Sequence, residues 1–180
     1  VMSEFAKAYL AQIKTDFLKI KGTAEKAFRQ VNEAGLNFKA SPESNSIAML
    51  IRHISGNMRS RFTDFLTSDG EKPYRHRDLE FQEGDFGKVE LEFAWEEGWK
   101  TVMNAINDLK AEDLLVTVTI RQEPHSVMQA LQRQVAHYAY HAGQIVMLAK
   151  IFQGSEWETL SIAPGKSDAY NQEVTGKGKK

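Results

Sequence analysis

The chain has 180 residues, 42% hydrophobic and 26% charged, which suits one domain and is enough to bury a core without a disulfide or structural metal. Its 23 basic and 24 acidic residues leave a net charge of −1, which speaks against a nucleic-acid binder or a polybasic membrane-surface protein and points to a small-molecule partner. No apolar run approaches the roughly 18 residues of a membrane span, and the absence of Cys excludes thiolate metal sites, disulfide scaffolds and Cys nucleophiles and fits a cytoplasmic setting.

The opening Val1-Met2-Ser3-Glu4 has neither a basic start nor an apolar core, so no signal peptide is expected. Apolar residues at Phe5, Tyr9, Ile13, Phe17, Ile20, Ala24, Ala27 and Val31 repeat every three to four positions. They predict a long amphipathic helix with Ser3 as its N-cap. Ala34-Gly35-Leu36-Asn37 reads as a stop. A second helix runs from Ile47 through Leu50, Ile51, Ile54, Met58, Phe62 and Phe65 to about Leu66. From Ser68 to Gly87 three Gly, one Pro and nine charged residues follow no period, which predicts the longest loop. Trp95, Trp99, Val102, Met103, Ile106 and Leu109 then mark a third helix. The β-branched run Leu115 to Ile120 predicts a short strand or extended crossing before Pro124. A fourth helix opens at Ser126, with Gln129 at the capping-box position, and closes at Gly154. The expected architecture is all-α, a four-helix bundle with long connections. It occupies residues 1–170 as a single domain, and 171–180 is expected to be a disordered tail.

Bundles build ligand and metal sites from side chains that point between helices. His137 and His141 lie four apart on the last long helix, so their rings share one face about 6 Å apart along the axis. His141 falls inside the apolar arc of that helix, His137 at its edge, and His53 beside the apolar face of the second helix. Three neutral imidazoles suffice as protein ligands for Zn²⁺, Ni²⁺ or Fe²⁺ with positions left open. Periodicity alone favours three partly buried histidines bonded to their neighbours. Gln144 is either a partner of His141 or an interhelical bond, and Asn57 either holds a metal-bound water or satisfies a backbone group. Arg59, Arg61, Arg75 and Arg77 could grip an anion, but a solvated charge run is the simpler reading. His76 and His125 are expected in exposed loops. There is no phosphate-cradling Gly loop and no Gly-x-Ser-x-Gly elbow.

The run His137 to Ile145, together with His53 on the second helix, resembles the DinB/YfiT-like superfamily of metal-binding four-helix bundles. The stretches Arg52 to Arg61, Asp69-Gly70-Glu71-Lys72-Pro73 and Pro164-Gly165-Lys166-Ser167 resemble one bacterial branch of it that carries a domain-of-unknown-function label. The resemblance covers nearly the whole chain. It implies a DinB-like bundle with one divalent metal on His53, His137 and His141, and a metal-dependent enzyme, such as an S-transferase using a low-molecular-weight thiol. A non-catalytic metal-binding or stress-related bundle is the alternative. The resemblance, with Phe28, Phe38 and Phe93 at the edges of the core faces, also raises the expectation of a homodimer. A monomer whose C-terminal segment docks through Trp157 and Tyr170 would cover the same residues.

Overall fold

A computed structural model describes residues 2–177. Helix α1 (Met2–Phe28) is followed by a five-residue α2 (Glu33–Asn37) and by α3 (Ile47–Phe62). A 3-10 turn at Arg77–Phe81 precedes α4 (Lys88–Asp108), and a second at Ala111–Leu115 leads into the antiparallel pair β1 (Thr117–Ile120) and β2 (Glu123–Ser126). Helix α5 (Val127–Gln153) and a last helix α6 (Ser167–Lys177) complete the chain. The protein is thus mostly helical, and among the described residues no helix is long and apolar enough to cross a membrane.

The four long helices touch in a closed cycle: α1 lies on α5, α5 on α3, α3 on α4 and α4 on α1. Each contributes one ring to an aromatic cluster at the centre. Phe17 of α1 meets Phe62 of α3 at 6.1 Å, Trp99 of α4 at 6.1 Å and Tyr138 of α5 at 5.8 Å. All four rings are buried, and burying each such side chain is worth about 1.5–3 kcal/mol. Gly98 permits the close approach of α4 to α3, because a Cβ there would come within 3.1 Å of Met58 Sδ and of the Ser55 Cα.

Several boundaries differ from the sequence reading for local reasons. Helix α1 starts at Met2, so Ser3 stands in its first turn and not in front of it. The expected stop at Ala34 to Asn37 is a helix of its own, capped by Asn32 Oδ1, which accepts from Gly35 N at 3.0 Å. Helix α3 ends at Phe62 and not near Leu66. Thr63 turns extended, Asp64 takes a left-handed φ of 48°, which its short polar side chain tolerates, and its carbonyl collects the N–H groups of Thr67 and Ser68. Of the expected tail, residues 171–177 continue α6, and 178–180 lie outside the described residues. Phe28, read as an edge residue, is buried against Trp95 at 5.5 Å, and Phe38 packs on Phe152 at 5.6 Å. Phe93 is exposed. Trp157 packs on the core while Tyr170 is exposed.

The expected single extended run is a hairpin whose two turn residues, Arg121 and Gln122, both have positive φ (54° and 65°). Such turns usually carry Asn-Gly. Here the carboxylate of Asp69 does the stabilising, accepting from the backbone N–H groups of Arg121 (2.9 Å), Gln122 (2.8 Å) and Glu71 (2.7 Å). Gly70 N–H also donates to Thr119 C=O at 2.8 Å. The loop after α3 is thereby sewn to the hairpin tip, beside the mouth of the cavity described next.

Candidate metal centre

His53 lies in the middle of α3, and His137 and His141 lie one turn apart on α5, where the contact between the two helices brings them together. His53 and His141 are buried and His137 is half-buried. One ring nitrogen from each lies within 4.8 Å of the others. Nε2 of His137 is 3.2 Å from Nε2 of His53 and 3.1 Å from Nε2 of His141. Imidazoles on a first-row metal at about 2.1 Å stand about 3.0 to 3.4 Å apart, from an octahedral face to a tetrahedral edge. The donor set fits a single divalent ion of that kind.

The outward nitrogens are committed elsewhere. His53 Nδ1–H donates to Glu80 Oε2 at 2.8 Å, and His141 Nδ1–H donates to Gln144 Oε1 at 2.7 Å. A carboxylate and an amide oxygen only accept, so each of these two rings, when it carries that one proton alone, presents a bare Nε2 lone pair to His137. His137 can donate one proton at most from its own Nε2, so two acceptors compete for it. A cation bonded to all three satisfies every lone pair at once. Burial, reinforced by the neighbouring His141, His53, Arg75 and Arg61, lowers the His137 pKa to about 3. His141 is also lowered, first by burial, against the opposing bond from Gln144. Both rings are therefore neutral at pH 7, the form that binds metal.

Glu80 is the residue that sequence reading missed. It sits in the 3-10 turn Arg77–Phe81, inside the segment read as featureless loop. Burial pushes its carboxyl up, but the hydrogen bonds from His53 and Arg75 and the Arg75 charge outweigh this and hold it below the usual range. Arg75 grips it with two bonds, Nε to Oε1 at 2.8 Å and Nη2 to Oε2 at 2.9 Å. Gly56, one turn beyond His53, makes room, because a side chain there would overlap the Glu80 carboxylate. Arg75, Glu80 and His53 form a buried chain of the kind that fixes a ligand's tautomer and orientation.

The remaining candidates sort cleanly. Gln144 is the partner of His141. Asn57 Oδ1 accepts from Tyr138 O–H at 3.0 Å rather than from a backbone group. Arg61 and Arg75 are not a solvated run, since their side chains are only 5% and 3% exposed. His76 is exposed, and His125 lies on β2 with Nδ1 on Glu123 C=O at 2.9 Å. Beside the three histidines lies a cavity of about 460 Å³.

Fold and site together define a mostly helical protein with a three-histidine cluster that could hold a metal ion. The chain belongs to the DUF1572 family, described as a protein of unknown function, whose family model matches residues 4–166. No curated protein and no solved structure matches it.

Proposed function

We propose that the protein is a DinB-like four-helix bundle of the DinB/YfiT type that holds one divalent metal ion, zinc, nickel or iron, on His53, His137 and His141, and that it is a metal-dependent enzyme. The observation that carries this reading is the convergence of three Nε2 atoms, with the His53 ring oriented by Glu80 and the His141 ring by Gln144. Such an ion lowers the pKa of a bound thiol or water and so supplies a nucleophile at neutral pH. A low-molecular-weight thiol and transfer of its sulfur to a second small molecule fit that chemistry. The chain's own contribution is to keep His137 and His141 neutral, to fix the tautomers of His53 and His141 through Glu80 and Gln144, and to leave a cavity at the site for the substrate.

The test is metal analysis of protein purified without chelator or nickel resin. About one equivalent is expected, and His141→Ala should lose it, because two imidazoles make too weak a site. Full retention in that variant overturns the assignment. An ion with no exchangeable position would favour a non-catalytic metal-binding bundle.

A further inference from the structure

We propose that the cavity beside the histidines binds a small organic anion whose negative group is held by Arg77 and Arg133. The cavity wall carries five arginines, Arg61, Arg75, Arg77, Arg121 and Arg133, and among the described residues lining it there is no Asp or Glu. They come from separate parts of the chain: α3, the segment ahead of α4, the hairpin tip and α5. A chain with a net charge of −1 thus gathers cations around one hollow.

Three of the five are already paired. Arg61 and Arg121 both reach Glu71 Oε2, at 3.0 and 2.9 Å, and Arg75 is spent on Glu80. These pairs build the wall. Arg77 and Arg133 are different. The Arg77 guanidinium lies over the Phe81 ring at 4.9 Å. Its carboxylate contact is Asp78 at 3.9 Å, a fully exposed group, and such a pair is screened and weak. Arg133 makes no ion pair among the described residues, and its side chain stands at the exposed rim of α5. Arg133, His137 and His141 follow one another at single-turn spacing, so the three side chains leave one face of α5 at intervals of about 6 Å along its axis. Arg77 lines the same cavity, and the Phe81 ring that its guanidinium covers lies 4.7 Å from the ring of His53.

Guanidinium groups bind carboxylate and phosphate oxygens two at a time, and about 460 Å³ is the size of an ordinary small-molecule site. The ligand is therefore a compact molecule with a carboxylate or phosphate at one end and its reacting atom a few bonds away. The identity of the reacting end rests on the metal centre proposed above, while the arginine end stands without it.

The test is calorimetric titration of the full chain, as purified and after chelator, with inorganic phosphate, succinate and neutral succinamide. Phosphate or succinate should bind and succinamide should not. The double variant Arg77→Gln with Arg133→Gln should weaken anion binding by at least about tenfold, with melting temperature and bound metal unchanged. Both side chains are on the surface, so the variant keeps its core. Preference for phosphate assigns a phosphoryl group, and preference for succinate a carboxylate. Binding of neither anion, equal binding of succinamide, or an unaltered affinity in the double variant would overturn the proposal. A chain that binds the anion but carries no metal overturns the metal centre alone, and one that carries metal but binds neither anion overturns the anion site alone.

Discussion

At the scale of single residues the centre depends on Glu80 as much as on the histidines. Replacing it by Gln keeps the shape but removes the charge that fixes the His53 tautomer and neutralises Arg75. Loss of such a partner usually costs about 10 to 100-fold in metal affinity. We expect Glu80→Gln to bind zinc within that range more weakly in a competition titration with a chelating dye, and an unchanged affinity would remove Glu80 from the centre. The histidines were legible because they sit on helices whose apolar period defines a face. His53, the boundary residue, needed the α3–α5 contact to complete the set. Glu80 was illegible because its segment has no period, and its path to His53 is set by tertiary packing over Gly56. Arg61 and Arg75 read as solvated because charge in a sequence says nothing of the carboxylate waiting for it.

At the scale of elements, long helices were readable and short ones were not. Twenty-seven residues in α1 and in α5 give the period many turns in which to show, and five residues in α2 do not. The hairpin hid because Arg121-Gln122 lacks the usual turn residues, and Asp69, 52 positions away from Arg121 in sequence, supplies what they would have. Partial burial raises the Asp69 carboxyl, but backbone N–H donors from Glu71, Gln122 and Arg121 hold it well below its ordinary value of 3.8. A carboxyl with a lowered folded-state pKa contributes its stability in full above the unfolded value and loses it as pH falls toward the folded value. Asp69→Asn should therefore melt lower than wild type at pH 7, by an amount comparable to a lost helix cap, about 1 kcal/mol. Below pH 3.8 the two curves should converge. A constant gap from pH 7 to pH 2 would show that the charge is not what holds the turn.

For the whole molecule, the aromatic cluster of Phe17, Phe62, Trp99 and Tyr138 joins the four long helices without help from the site. A core of this kind supports a chain of this size by itself, so stripping the metal with a chelator should leave far-ultraviolet circular dichroism unchanged. Unfolding on chelation would make the ion structural. His53 and His137 stand 84 positions apart in the chain and meet at 3.2 Å. An ion shared between them acts as a removable cross-link between α3 and α5, one that only the folded state can close. By mass action each tenfold rise in free ion above its dissociation constant then adds about 1.4 kcal/mol to the folded state. Plotted against the logarithm of free zinc, the melting temperature should stay level up to that constant and climb steadily beyond it. The thermal transition thus becomes a gauge of how much ion is available, readable before any substrate is in hand.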